Sequence, residues 1–142
     1  MITLLTSYFL KSIAEDIFKH QETPVIPYEF YVALSITEPQ LDGTGVTEPD
    51  VNTGYSRAYI DNSNLIFNTS NENGTVSNHT KIYFPETIQP WNNIKYYAIY
   101  DSLTDGNLLM YGEFNETVNI PIKTIVSIPI NALQITAMNE VI

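Results

Sequence analysis

Few side chains in this sequence are suited to chemistry. The chain has no cysteine and only two histidines, His20 and His79, beside 16 acidic residues. A zinc site needs three or four converging ligands, and neither histidine stands in a motif that supplies them. His20 falls at the end of a predicted helix, where a cation is mildly favoured, and His79 lies next to a predicted turn. The sequence therefore predicts no metal ion and no other cofactor.

Motifs for catalysis are missing as well. The chain contains neither the nucleophile elbow G-x-S-x-G, nor a P-loop, nor the dinucleotide fingerprint G-x-G-x-x-G. The segment "DSLTDGN" shares part of the spacing of an EF-hand loop, but Leu103 occupies the position of an oxygen ligand. We interpret it as a hairpin connection with Gly106 at positive φ. A glycoside-active enzyme is the least favoured of three hypotheses, because so many acidic residues form carboxylate pairs by chance.

The composition limits the classes of partner. A length of 142 residues suits one domain, here residues 1–142. The formal net charge of −10 argues against nucleic acid, whose phosphates need clustered Lys and Arg. An acidic exterior also opposes binding to an anionic membrane, whereas it favours attraction to a basic protein surface. We expect neither nucleic acid nor membrane among the partners.

The N-terminal residues 1–22 are predicted to form a helix. Apolar residues with helical spacing give one stripe, made of Leu5, Phe9, Ile13 and Ile17. Lys11, Glu15 and other polar residues fall on the opposite side. Pro24 and Pro27 follow and close the segment.

Residues 28–142 are predicted to form about seven or eight short strands. An acidic segment, Thr37 to Gly54, interrupts them with two Thr-Glu-Pro triplets and reads as a long surface loop. Pro121 and Pro129 are expected to restrict the last strands to edges or bulges. The fold class is therefore all-β: an antiparallel β-sandwich with one N-terminal α-helix.

The segment "IKYYAIYDSLTDGNLLMYGEF", Ile94 to Phe114, is the richest in tyrosine. Large groups on both faces of its first strand predict a strand that is covered on both sides. A tyrosine can bury its ring while its hydroxyl finds a partner, so core packing explains the segment without a ligand. The alternative is a surface that stacks on sugar rings, with Trp91 and Tyr97 as the candidate residues.

Several short motifs occur in an order that resembles a family of small bacteriophage virion proteins. In this chain they are "SYFLKSIAEDIF", "YEFYVALSITEP", "GTGVTEP", "GYSRAYI", "SNHTKIYFPE", "WNNIKYYAIYD" and "GNLLMYGEF". Members of that family are labelled tail fibre protein or head decoration protein. The likeness extends roughly from Ser7 to Phe114, with Asp-Gly-Asn here where members often have Gly-Gly-Asn. It carries no catalytic residue.

The resemblance implies a non-enzymatic structural protein of the virion, assembled in the host cytoplasm. We favour a capsid decoration protein on the phage head, with a tail fibre or a receptor- or carbohydrate-binding module of the tail as the alternative. The expected partners are the major capsid protein or tail proteins, and a homo-oligomer is possible. The residues expected to dock on the particle lie in the helix and the acidic loop: Leu5, Phe9, Ile13, Ile17, Glu38, Asp42 and Glu48.

Overall fold

The computed structural model describes residues 3–19, 29–61, 67–68 and 75–136. Its helices are α1 (Ser7–Phe18) and a 3₁₀ turn (Val51–Thr53). Its strands are β1 (Thr3–Leu5), β2 (Glu29–Ser35), β3 (Ala58–Asp61), β4 (Phe67–Asn68), β5 (Thr75–Asn78), β6 (Ile82–Tyr83), β7 (Trp91–Tyr100), β8 (Leu108–Ile120), β9 (Ser127–Ile128) and β10 (Gln134–Thr136). No helix in these ranges has the length and apolar character needed to cross a membrane.

Three antiparallel sheets build the fold. The large sheet has five strands in the order β1-β8-β7-β2-β3, and the smaller sheets are β10-β5-β4 and β6-β9. The longest strands, β7 and β8, lie in the middle of the large sheet and pair from Tyr100↔Leu108 to Trp91↔Ile120. The prediction of a mainly β, antiparallel fold with one α-helix is confirmed for the part of the chain that the structure describes.

One continuous core joins the inner face of the large sheet to the smaller sheets. Alternate residues of β2 and β7, among them Val32, Leu34 and Ile99, pack with Phe84 and Leu133 from the second layer. Each of these residues is at most 4% exposed. Burial of such a side chain contributes about 1.5–3 kcal/mol, so this sandwich-like contact dominates the stability of the fold.

The N-terminal segment differs from the single helix expected over residues 1–22. Thr3–Leu5 form β1 because they pair with Gly112, Tyr111 and Met110 of β8. Thr6 then begins the helix: its Oγ1 accepts from the N–H of Phe9 at 3.3 Å and donates to the carbonyl of Leu108 at 2.6 Å. Leu5 is therefore a strand residue. The predicted helix end at residues 20–22 lies outside the described residues.

Other boundaries also moved. The sequence predicts a strand from Tyr55 to Asp61, which in the structure begins only at Ala58. The tyrosine-rich strand expected from Ile94 begins earlier, at Trp91. Pro121 and Pro129 directly follow the ends of β8 and β9, so each proline ends a strand. The sequence also predicts turns at residues 62–64 and at the pair Asn73-Gly74, and both lie outside the described residues.

The acidic loop is packed against the large sheet. Ile36 donates its N–H to the carbonyl of Thr47 at 2.9 Å, and Thr37 donates its hydroxyl to Oγ1 of Thr47 at 2.7 Å. Val46 rests on a second apolar cluster, on the outer face of the sheet, which includes Ala98 and Tyr100. The loop thus covers part of the face opposite the core, and the prediction that the tyrosine-rich strand is covered on both sides is confirmed for Tyr97 to Tyr100, which are all buried.

Candidate functional site

The outer face of the large sheet carries tyrosines at both ends of the acidic loop. Along β7, Tyr96 and Tyr100 point outward with Ala98 between them, while Tyr97 and Ile99 belong to the core. Val46 covers the middle of this face. We call the region around Tyr100 the closed end and the region around Tyr96 the open end.

At the closed end, Arg57 fills the space between a carboxylate and a ring. Its Nε and Nη2 donate to the two carboxylate oxygens of Glu48 at 3.0 and 2.9 Å. The guanidinium carbon lies 3.7 Å from the centre of the Tyr100 ring. The side chain of Arg57 is only 7% exposed and that of Glu48 is 25% exposed. A desolvated two-pronged ion pair of this kind fixes geometry as well as charge.

The same arginine also holds the hairpin that follows β7. Its Nη1 donates to the carbonyl oxygens of Ser102 and Asp105, both at 2.8 Å. Gly106 has φ +77, as the interpretation of a hairpin connection with a positive-φ glycine predicted. A Cβ there would lie 2.6 Å from the carboxylate of Asp101. Among the described residues, no group of three or more His, Cys, Asp or Glu is arranged to bind a metal ion.

Tyr55 supports Glu48 from the core side. Its hydroxyl donates to Oε1 of Glu48 at 2.6 Å and accepts from the N–H of Leu34 at 3.0 Å. Burial, with the negative charge of Glu48 as the second cause, raises the pKa of Tyr55 far above its ordinary value. Tyr55 also packs edge-on against Trp91, with ring centres 5.3 Å apart. The closed end is thus a saturated polar cluster that is tied into the core.

The open end is a groove of about 570 Å³. Its lining includes Glu38 from the acidic loop, Tyr96, Tyr111 and Glu113 from the sheet, and the exposed side chain of Leu4. Burial raises the pKa of Tyr96 and Tyr111, and the negative charge of Glu38 adds to both shifts. Glu113 adds to the shift of Tyr96. The groove therefore presents aromatic rings in a negative field.

One amine also lines this groove. Nζ of Lys95 lies 3.4 Å from the carboxylate of Glu113 and donates to the carbonyl of Asn115 at 3.4 Å. An irregularity in the β7–β8 pairing brings these groups together: Tyr96 pairs with Glu113 while Ile94 pairs with Val118, so β8 has three extra residues at this point. Bulges with extra residues re-aim side chains and are frequent beside functional sites. Lys95 forms its ion pair with Glu113. Among the described residues, the negative charge of Glu38 has no ion-pair partner.

A second cavity, of about 470 Å³, lies between the two layers. Phe114, Val118 and Ile94 line it on the large sheet, and Val126 and Ile128 line it on the second layer. The walls are mainly apolar. It is a gap at the rim of the core, and it shares Phe114 and Asn115 of β8 with the lining of the open end.

The helix residues expected to dock are divided between core and surface. Phe9 is 7% exposed and belongs to the core, and Leu5 and Ile13 are partly buried against it. This corrects the expectation for Phe9, whose side chain packs in the core and leaves little surface for a partner. Ile17, in contrast, is 54% exposed. The core covers only part of the predicted apolar stripe, and Ile17 stays exposed to solvent.

The exposed part of the helix is a stripe of its own. Leu10, Ala14, Ile17 and Phe18 follow helical spacing on one side, and all four are exposed, with Phe18 at 80%. We call them the outer helix stripe. The acidic loop reaches the start of the same helix, where Ser7 donates its N–H to the carbonyl of Leu41 at 3.0 Å. The helix and the loop therefore adjoin.

The three acidic candidates occupy different places. Glu38 lines the open end and Glu48 belongs to the closed end, where its carboxylate is bound to Arg57 and Tyr55. Asp42 is exposed, and hydrogen bonds from the hydroxyl and the N–H of Thr44 lower the pKa of its carboxyl. Of these three candidates, Glu38 and Asp42 have carboxylates exposed to solvent, whereas that of Glu48 is bound within the fold.

The two candidate sugar-stacking rings are buried. Trp91 is 1% exposed and Tyr97 is 0% exposed. The indole N–H of Trp91 donates to Oγ1 of Thr53 at 2.9 Å, and the hydroxyl of Tyr97 lies 2.5 Å from Oγ1 of Thr3. Neither ring offers a face to a sugar, which corrects that expectation. Their hydroxyl and N–H partners are within the fold.

Sequence reasoning did not single out Arg57. The signal was present, because Arg57 is the chain's one arginine and follows Tyr55 in the motif "GYSR". A lone arginine directly before a strand, here β3 from Ala58, and next to aromatic residues is suited to a buried ion pair. Its partner, Glu48, was named but as a surface contact.

Comparison with known protein families matches residues 5–136 to the family described as "Podophage GP4 fiber I protein gp80". The matched segment contains the helix, the acidic loop, the closed end and, except for Leu4, the open end. No curated protein matches the chain.

Proposed function

The chain belongs to the Podophage GP4 fiber I protein gp80 family, and from this premise we propose that it is a structural component of a phage tail fibre. Membership makes it a virion component. The family description names a fibre, so it supports the tail-fibre alternative better than the capsid decoration preferred from the sequence. The family is a structural one, and its match is the observation that carries the proposal.

Attachment to another virion protein takes place through the outer helix stripe. Ile17 and Phe18, at 54% and 80% exposed, hold apolar area that the chain's own core does not cover. Burying each side chain against a partner contributes about 1.5–3 kcal/mol. Leu41, which is also 54% exposed, lies at the other end of the helix, where its carbonyl accepts from the N–H of Ser7. The partner surface is apolar at its centre, as at other protein interfaces.

Deletion of the whole N-terminal segment is a poor test of this proposal. Leu5 and Ile13 pack against the core, and Phe9 is part of it, so the truncated chain loses stability and attachment together. Substitutions on the exposed stripe separate the two effects. The double variant Ile17→Ser with Phe18→Ser changes only exposed side chains, and Lys11→Ser with Lys19→Ser is the matched control on the polar side of the helix.

The experiment is complementation of a phage that lacks this gene. We expect the apolar double variant to fold with an unchanged melting temperature and to be incorporated at least about tenfold less than wild type, a loss of about 1.4 kcal/mol or more. The lysine variant should be incorporated normally. Quantitative mass spectrometry of purified particles measures both.

Gold-labelled antibody viewed by electron microscopy then tests the location. Label on the fibres supports the proposal. Label on the head overturns the fibre assignment and restores capsid decoration. Full incorporation of the apolar double variant overturns the role of the helix and leaves the fibre assignment intact.

A further inference from the structure

Each end of the outer face places a glutamate carboxylate beside a tyrosine ring. At the closed end, the acidic loop places Glu48 beside Tyr100, and the guanidinium of Arg57 lies between them. At the open end, the same loop places Glu38 beside Tyr96 in a groove. Tyr96 and Tyr100 stand on one face of one strand. The closed end shows what this arrangement of carboxylate and ring accommodates.

The open end has the room and the charge to accept a cation. Its groove of about 570 Å³ is accessible from solvent and contains two carboxylates, of Glu38 and Glu113. Lys95 is the amine of the groove and is held by Glu113 and by the carbonyl of Asn115. Among the described residues, Glu38 therefore remains the uncompensated charge beside the half-buried ring of Tyr96. The chain's net charge of −10 extends the same field.

We propose that this groove, the open end, binds an arginine side chain on an extended basic segment of a different virion protein. The guanidinium lies over the Tyr96 ring and donates to the carboxylate of Glu38, as Arg57 does with Tyr100 and Glu48. Arginine suits the site better than lysine because it combines a planar face for the ring with a fork for the carboxylate. The exposed side chain of Leu4 borders the groove and contacts the aliphatic part of that segment.

A second copy of this chain is a less suitable occupant. Two copies each carry a net charge of −10, which opposes their approach. The chain's one arginine is already buried in its own closed end. Charge complementarity therefore favours a basic partner of different sequence.

The site is distinct from the outer helix stripe. The stripe is apolar and its test measures incorporation into particles, whereas the groove is polar and can be tested with the purified chain. The inference does not depend on the fibre assignment.

The test uses three peptides that differ in one functional group. The probe is the acetylated peptide amide Gly-Arg-Gly-Arg-Gly, and the comparison peptides carry lysine or citrulline, the neutral isostere of arginine, in both arginine positions. Binding is followed by the amide and aromatic NMR signals of the full chain. We expect the arginine peptide to bind tightest, the lysine peptide more weakly, and the citrulline peptide not measurably. The shifted signals should cluster at Tyr96, Tyr111 and Glu113.

Two variants of equal charge test the position. Glu38→Gln should weaken the arginine peptide by at least about fivefold, while Asp42→Asn, in the same loop, should change it by less than about twofold. Tyr96→Leu should remove the preference for arginine over lysine. Unchanged spectra elsewhere in the chain verify that each variant is folded.

The opposite results are equally clear. Equal weakening by Glu38→Gln and Asp42→Asn would mean attraction to overall charge only, and binding of the citrulline peptide would remove the role of the cation. Either result overturns the proposal. Self-association in sedimentation that is lost in Glu38→Gln overturns the foreign partner in favour of a second copy.

Discussion

The closed end and the open end of the outer face are built from the same residue types with different results. Each has a tyrosine of β7 and a glutamate of the acidic loop. At the closed end Arg57 is supplied from within the chain, and the pair is desolvated, fully hydrogen-bonded and joined to a hairpin. At the open end the cation is Lys95, which lies at the rim with 26% of its side chain exposed. The closed end is structural because its cation is buried. The open end stays accessible to a partner because its cation lies at the rim.

The two ends should differ most in how much stability is lost when the cation of each end is removed. Arg57→Leu leaves the partly buried carboxylate of Glu48 without its partner, and we expect a loss of about 3 kcal/mol in the free energy of unfolding. Lys95→Leu removes one member of an exposed pair, with an expected change below about 1 kcal/mol. Urea unfolding followed by tryptophan fluorescence measures both. Similar losses in the two variants would contradict the distinction between the ends.

The floor of the open end depends on one glycine. A Cβ at Gly112 would lie 2.1 Å from the hydroxyl oxygen of Tyr97. That ring is fully buried and its hydroxyl is held by Thr3, so it cannot withdraw. We expect Gly112→Ala to cost about 2 kcal/mol through overpacking.

A second background distinguishes overpacking from a general effect of alanine. In Tyr97→Leu the phenol ring is absent, so Gly112→Ala should cost clearly less there than in the wild-type chain. Equal costs in the two backgrounds would show that the ring is not the obstacle. The comparison needs only unfolding curves of the wild-type chain, the two single variants and the double variant.

Removal of one negative charge at each end sharpens the comparison further. Glu48→Gln keeps the shape of the side chain but weakens charged hydrogen bonds from Arg57 and Tyr55, and we expect a loss of about 1.5 kcal/mol. Glu38→Gln, at the exposed end, should change stability by less than about 0.5 kcal/mol. Thermal unfolding at neutral pH measures the pair. A larger loss for Glu38→Gln would mean that the groove is structural.

Much of the fold could be predicted from patterns of a few residues. The tyrosine-rich segment Ile94 to Phe114 predicted the two long strands of the large sheet and the hairpin between them, whereas Pro121 and Pro129, expected at edges or bulges, directly follow the ends of β8 and β9. The helix start was missed because Thr3–Leu5 have helical spacing in sequence but pair with β8 in space. A strand of three residues is fixed by its partner, about a hundred residues away along the chain, and local periodicity contains no trace of that pairing.

The candidate site was harder to predict, for a related reason. Glu38, Asp42 and Glu48 look alike in one acidic loop, yet one lines a groove, one closes a turn and one is bound to Arg57. Their difference arises from the residues that the fold brings beside them. Trp91 and Tyr97 were likewise chosen for their aromatic rings, and both proved to be core residues. Residue type identified the groups, and only tertiary packing assigned their roles.

The smallest expected effect is a change in tyrosine ionisation. A neighbouring carboxylate makes a tyrosine harder to ionise because the phenolate is also negative. The pKa of Tyr96 and Tyr111 is raised by burial and then by nearby carboxylates that include Glu38, so Glu38→Gln should lower both toward the ordinary value. The pKa of Tyr100 is raised by burial and lowered by Arg57, with Glu48 and not Glu38 as its negative neighbour.

The titrations of the two ends should therefore respond to different variants. Glu48→Gln should lower the pKa of Tyr100 and leave Tyr96 unchanged, whereas Glu38→Gln should do the reverse. NMR titration of a chain with ¹³C-labelled tyrosine follows each ring as the pH is raised. A single carboxylate that moved all of these rings together would show that the two ends share one electrostatic environment. Separate responses would mean that the acidic loop carries two independent sites, one filled by its own arginine and one open to a partner's.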